Sequence, residues 1–504
     1  MQSRPWDSRT FSIHPVCNPN LGAAEAYHFL VFFTPPKRFA AHLNRYTQKL
    51  TIIFVAARRL RNNKEYGGLS GMDVVIDNVN LSGIIRAAQR SQESADDSDL
   101  TDLDSDNDSD EPSPKAAESR PNVDNPVFTP LAQLAGKTYV PRVPAVQKAK
   151  ERSKRDKKRA KEQNVEERLT KACAEHHIQR TKSLSHSIQS NFTIPGGVWT
   201  GPKLTQDGRV YTKKEAMAAE PGMRYVPWDG TETKLVRTQE YGLALLGGRP
   251  SSPKWMEDMS EAGRLLDWAE HNLRFPKSCN THRRGDYENI RMGISYGGGQ
   301  TEPGNLVNTR HNEEILQVLR DSPAVQHVAG YADYLMKTYY KDLHTLYTNV
   351  QEKLQVDNPG LVQNFANCCF AACTFNFGKA VTRRHTDYLN LLFGMCAVLP
   401  FGNYNYEKGG HLILWDLKLV IQFPPGTIIL LPSAMIEHSN VSIGKDERRS
   451  SITFYSAAGL FRWVSNGFVS DNEFRERASV KLRRQWTDYR DELWRTGLDL
   501  ITLS

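Results

Sequence analysis

Between His411 and Tyr455 the chain is a succession of short apolar runs cut by turn residues, and few folds accept that pattern. Residues 411–416, 417–423 and 427–431 are the first three runs, the last two separated by Pro424, Pro425 and Gly426. That triplet is a strong turn signal, because proline presets one backbone angle and glycine accepts the other. A final run, 450–455, alternates in character as a strand does. Strands this short and this close in sequence predict a small antiparallel jelly roll.

The polar residues placed around these runs carry the chemistry. Side chains two apart on a strand point the same way, so His385 and Asp387 can reach one metal ion from an extended segment. A distant His438, just past a strand-like run, completes two imidazoles and one carboxylate. That donor set, leaving positions open on an octahedral ion, suits non-haem Fe(II). His411 is the competitor for His438, since it also lies beside a strand, although a start next to Gly409 and Gly410 suits packing. An arginine after the second histidine can hold the far carboxylate of a keto-acid cosubstrate through a forked contact. Arg449 and Arg448 both stand there, and an inward Arg449 brings Ser451, Thr453 and Tyr455 onto its face. Asn376, on the alternating run 374–377, can bond the cosubstrate or simply pack.

The order His385-x-Asp387, Gly409-Gly410-x-Leu412, His438, then Arg449-x-Ser451 resembles the Fe(II)/2-oxoglutarate dioxygenases. Residues 449–455, 409–426 and 459–463 are similar to the Tet-like (TET/J-binding-protein) branch, which oxidises methyl groups of pyrimidine bases. The motifs span about residues 365–468, with a weaker extension to about 190 through Gly297–Gln300 and Pro303-Gly304. The resemblance implies an α+β fold with a double-stranded β-helix (jelly-roll) core and flanking helices. It implies Fe(II) on His385, Asp387 and His438, and 2-oxoglutarate held by Arg449, Ser451 and Asn376. Molecular oxygen would be consumed, and DNA is the implied partner.

The rest of the chain sorts by charge. Residues 1–90 contain apolar runs at 27–33 and 50–56 but no chemical constellation. Residues 91–135 are expected to be a disordered acidic linker, since Glu93 to Glu111 holds no Lys or Arg and too little apolar surface to offset ordering. Residues 136–189 invert the sign, and the basic run Lys148 to Lys161 reads as a nuclear-import signal or phosphate-binding arm. A nuclear location follows from it, a cytoplasmic one otherwise. Cys173, His176 and His177 lack a second ligand pair and are not taken as a metal site. Residues 190–470 are expected to form the oxygenase domain and 471–504 an amphipathic helical tail. Helices are expected at 256–273, 313–319 and 325–350, and a basic, Gly-rich loop region at 282–286 and 291–300 that can border a substrate mouth. Arg462 and Trp463 can stack on a base or close the barrel end.

The net charge of +8 is compatible with an acidic partner. No apolar run reaches the roughly 18 residues of a membrane span, and the start shows no secretory core. Seven cysteines without a Cys-x-x-Cys pair argue against a disulfide framework or a structural zinc, and Cys368, Cys369, Cys373 and Cys396 read as buried thiols. Two other functions fit the same residues: hydroxylation of a protein side chain, and a catalytically inactive binding module of this fold.

Overall fold

The computed structural model describes residues 73–76, 79–93, 126–137, 199–203, 208–238, 240–276, 282–297 and 299–502. The basic run 148–161, nearly all of the acidic tract, and Cys173, His176 and His177 lie outside them. In chain order the elements are β1 (Val74–Val75), α1 (Leu81–Glu93), α2 (Leu131–Leu134), α3 (Lys213–Ala219), β2 (Arg224–Val226), β3 (Lys234–Arg237) and β4 (Gly242–Leu246). Then come α4 (Pro253–Asn272), β5 (Asn289–Ser295), β6 (Gly304–Asn305), α5 (Arg310–Asp321), α6 (Pro323–Tyr339), α7 (Lys341–Asp357), β7 (Ala372–Asn376) and β8 (Cys396–Phe401). The last part holds β9 (Leu412–Leu414), β10 (Leu419–Ile421), β11 (Ile429–Leu431), β12 (His438–Asn440), β13 (Ser450–Tyr455), α8 (Ala458–Ser465), α9 (Asp471–Arg477) and α10 (Val480–Leu500).

Two sheets face each other. The larger runs β1-β3-β4-β11-β8-β13-β7-β5-β6, and the smaller runs β12-β9-β10-β2. The apolar runs of the sequence are divided between them: β9 and β10 pair antiparallel in the small sheet, while β11 crosses to pair with β8 and β4 in the large one. The Pro-Pro-Gly turn makes that crossing, with Gly426 at φ 74°. This is the α+β, double-stranded β-helix arrangement, with helices packed outside it.

The helices are placed by their apolar stripes. In α4, Pro253 occupies the first turn, where its missing N–H matters least. Trp255, Met259, Ala262, Leu266 and Ala269 recur at helical spacing and are buried. The Trp255 indole donates to the Gly426 carbonyl at 3.1 Å, tying this helix to the crossing turn.

Several boundaries differ from the sequence reading. Residues 289–295 are a buried strand rather than part of a loop. Arg291 and Gly293 hid its period, and Gly293 is required there because a Cβ would lie 2.4 Å from the Ala371 carbonyl. The single helix expected at 325–350 is two, broken at Tyr340 (φ −130°, ψ 60°). The acidic linker was drawn to 135, but Leu131, Leu134 and Ala135 join the main core, as do Leu81, Ile85 and Ala88 from the segment without an assigned role. The amphipathic tail is helical, and its Tyr489, Leu493, Trp494 and Leu498 pack into the same core. At Gly497 a Cβ would sit 1.9 Å from the Phe393 ring, so that helix lies directly on the domain. The four expected buried thiols are buried, and no described helix is long and apolar enough to cross a membrane.

Candidate active site

His385 and His438 face each other across an isolated antiparallel bridge. The His385 N–H donates to the His438 carbonyl at 3.0 Å and the His438 N–H returns the bond at 2.9 Å. The rings are 4.3 Å apart between centroids. His385 Nδ1 lies 2.7 Å from the Arg383 carbonyl and His438 Nδ1 lies 2.9 Å from that of Ile436. A carbonyl only accepts, so each Nδ1 carries the proton and each Nε2 keeps its lone pair. Those two Nε2 atoms stand 3.8 and 3.9 Å from the oxygens of Asp387, whose own N–H is held by the Ser433 carbonyl at 2.9 Å.

These separations are too long for hydrogen bonds, and the three donor atoms all lie within 4.8 Å of one another. The protonation states also suit a cation. Burial works against the Asp387 carboxylate, but His385, Arg284, His438 and Arg283 outweigh it and hold the group at about 2. Burial and then the charge of His438 push the His385 imidazole well below its usual range, against the pull of Asp387. An ionised carboxylate beside a neutral imidazole is what a divalent metal requires.

From this triad a cavity of about 540 Å³, counting its open mouth, runs between the sheets. Asn376, Val398, Leu431, Ser451 and Thr453 line it from the large sheet, Leu412, His438 and Asn440 from the small one. Arg449, 2% exposed, lines it as well. The guanidinium donates to the Ala380 carbonyl, while Nε is buried without a partner. Among the described residues no carboxylate lies within ion-pair distance of it. Its guanidinium carbon lies 5.6 Å from the Phe423 ring centroid and 5.9 Å from that of Tyr404. A buried, uncompensated cation costs several kcal/mol (about 3–5), so the part of the cavity beside Arg449 is built for an anion. Beside it, Asn376 donates to Ser451 Oγ at 3.1 Å, and its Oδ1 is left without a partner. Gly410 (φ 70°) allows this packing, since a Cβ there would come 2.6 Å from the Tyr404 ring. A triad suited to a divalent cation and a buried, unpaired guanidinium thus line one cavity.

The competing residues are elsewhere. Arg448 points outward to an ion pair with Glu270. The His411 ring is buried beside Tyr225, 5.7 Å between centroids, and does not line the cavity. Burial and Lys213 lower it to about 4. Trp463 is buried in α8 and meets Tyr296 edge-on, while Arg462 Nε lies 3.7 Å from Asp471. The sequence reading missed Arg284, whose Nη1 is 3.6 Å from Asp387 Oδ1, and Tyr287, Thr382 and Asn440 in the cavity wall. The one signal was the cluster His282-Arg283-Arg284-Gly285, where a Cβ on Gly285 would stand 2.7 Å from the Tyr287 ring.

No family model matches the chain, and no curated protein matches it. Among solved structures, NgTET1 in complex with 5mC DNA is 14% identical over 52% of this chain and 93% of that one, with a TM-score of 0.34. An oxidoreductase of the 2OG-Fe(II) oxygenase family from Burkholderia pseudomallei is 18% identical over 40% and 78%, at 0.23. A dioxygenase for auxin oxidation in rice is 14% identical over 48% and 77%, at 0.22. Scores this low decide nothing about function, which rests on the site itself.

Proposed function

We propose that this chain is an Fe(II)- and 2-oxoglutarate-dependent dioxygenase that oxidises the methyl group of a 5-methylpyrimidine, 5-methylcytosine-like, in DNA. The observation that carries the enzyme class is a single cavity lined both by a two-histidine, one-carboxylate triad and by the buried Arg449. His385, Asp387 and His438 would hold the iron. Arg449 and Ser451 would hold the far carboxylate of 2-oxoglutarate, and Asn376 would orient it. Bound there, the pair supplies the oxidation: dioxygen is split between 2-oxoglutarate, which leaves as succinate and carbon dioxide, and the substrate methyl, which becomes a hydroxymethyl. The chain's own contribution is placement. Carbonyl bonds to both Nδ1 atoms fix the imidazoles, and the apolar walls from Leu412, Leu431 and Val398 keep bulk water from the reacting carbon.

The DNA substrate is supported by the sequence resemblance of residues 409–426 and 449–455 and by the basic run 148–161, which also supports a nuclear location. The test is anaerobic loading with Fe(II) and 2-oxoglutarate, then exposure to oxygen with methylated DNA and mass analysis of products. Succinate with oxidised methyl base is expected. Succinate without oxidised base would overturn the DNA reading and favour hydroxylation of a protein side chain. Absence of succinate under every condition would leave the fold as a binding module.

A further inference from the structure

We infer that His282 is a positioning residue for this site, whose imidazole sets Arg284 against the metal carboxylate and Tyr287 into the cavity wall. The proposal rests on the oxygenase reading above. His282 is buried and does not itself line the cavity. It opens a tight hairpin: the His282 N–H donates to the Gly285 carbonyl and the Gly285 N–H returns the bond, both at 3.0 Å.

The ring spans that hairpin. The Arg284 N–H donates to Nδ1 at 3.2 Å, and Nε2 lies 3.0 Å from the Tyr287 carbonyl. An amide N–H only donates and a carbonyl only accepts, so the proton sits on Nε2. That is the opposite tautomer from His385 and His438, whose Nδ1 atoms carry it. A neutral imidazole accepts on one side and donates on the other, which is what these two backbone groups require. The same ring meets the Tyr287 ring edge-on, 4.6 Å between centroids at 89°.

The residues that His282 fixes are the ones that reach the site. Arg284 Nη1 is 3.6 Å from Asp387 Oδ1, and Arg284 and Tyr287 both line the cavity. The hairpin is laced to the ligand segment as well. The Arg383 N–H donates to the Arg284 carbonyl at 2.8 Å, Arg283 Nη1 donates to the Thr386 carbonyl at 2.9 Å, and Arg383 pairs with Asp286. Burial raises the Tyr287 phenol against the pull of Arg284, so it keeps its proton, and the charges of Asp387 and Arg449 both reach it. Its hydroxyl makes no hydrogen bond among the described residues. A protonated hydroxyl near both the triad and Arg449 is placed to donate to an oxygen of 2-oxoglutarate.

The full-length protein is titrated anaerobically by calorimetry, first with Mn(II) and then, loaded with Mn(II), with 2-oxoglutarate. His282→Ala is expected to weaken Mn(II) about tenfold, as loss of a ligand's outer support does, and 2-oxoglutarate about fivefold. His282→Asn separates the two effects. Its side-chain oxygen can accept from the N–H two residues on, as in an Asx turn, but is too short to reach the Tyr287 carbonyl. Mn(II) affinity is therefore expected to return to the wild-type value while the 2-oxoglutarate loss stays. Tyr287→Phe is expected to show the 2-oxoglutarate loss alone, with no further loss when combined with His282→Asn. A general loss of stability would give no such split. Equal weakening of Mn(II) in the Ala and Asn variants overturns the proposal, as does wild-type affinity for both ligands in His282→Ala or for 2-oxoglutarate in Tyr287→Phe. Wild-type protein that binds neither Mn(II) nor 2-oxoglutarate sinks the oxygenase reading itself, whereas wild-type binding of both with unaltered variants sinks only the role of His282.

Discussion

Asp333, His344 and Cys369 meet where α6, α7 and the segment before β7 come together, and His385, Asp387 and His438 meet between the sheets. In both sets the three donor atoms lie within 4.8 Å of one another. The first set is closed on itself. Asp333 Oδ1 accepts from His344 Nε2 at 2.9 Å and from the Cys369 N–H at 2.9 Å, and burial pushes the Cys369 thiol well up, keeping its proton. In the second set the imidazole lone pairs face the carboxylate across gaps of 3.8 and 3.9 Å, and their protons are tied to carbonyls behind. Residue types alone do not separate a structural knot from an ion cradle. What separates them is whether the donor lone pairs are already engaged.

The largest effect breaks the comparison directly. Asp387→Ala should reduce bound iron and succinate formation to background while the fold persists, and Asp333→Ala should leave metal content intact at a stability cost of about 1–3 kcal/mol. Metal analysis and urea melts of both variants decide it, and loss of iron in the Asp333 variant would erase the distinction. Next, Arg449→Ala should weaken 2-oxoglutarate about 100-fold by removing charge-assisted bonds, against about threefold or less for the outward Arg448→Ala. Equal losses in a calorimetric titration would show that the inward register of β13 is misassigned.

Arg284 sharpens the contrast, because the metal-ready carboxylate has a cation behind it. Arg284→Gln should weaken Mn(II) or Fe(II) binding about tenfold, as loss of an outer-shell partner does. Unaltered metal affinity would reduce Arg284 to a wall residue. The smallest effect concerns a second carboxylate near the site. Asp416 is raised from 3.8 to about 6 by burial and then by the neighbouring charge of Glu437, despite a bond from the Glu437 N–H and the field of Arg384. A folded-state pKa above the unfolded one means the folded protein binds the proton more tightly, so this group's contribution to stability falls as pH rises from about 4 to about 6. Asp416→Asn should therefore stabilise the protein at pH 7 by on the order of 1–2 kcal/mol and flatten the profile between those values. Melts at pH 5 and pH 7 that shift equally would refute it.

Much of the jelly roll was legible because strand signals are local. The runs at 412–414, 419–421, 429–431 and 450–455 carry their own period and their own turns. The strand β5 was not, because Arg291 and Gly293 interrupt its alternation and Gly293 is chosen by a contact with residue 371. The break at Tyr340 was hidden as well, since the residues on both sides favour helix and only packing against the core stops it.

The sequence by itself determined the spacing of His385 with Asp387 and of Arg449 with Ser451, because side chains two apart on an extended backbone share a face whatever surrounds them. Only the tertiary structure decided that His438 rather than His411 closes the triad. It also brought Arg284 and Tyr287 from some 100 residues upstream into the same cavity. The reason is physical. Strand register across a sheet and the approach of distant loops are set by which contacts bury apolar surface together, and that is a property of the packed chain, not of any window along it.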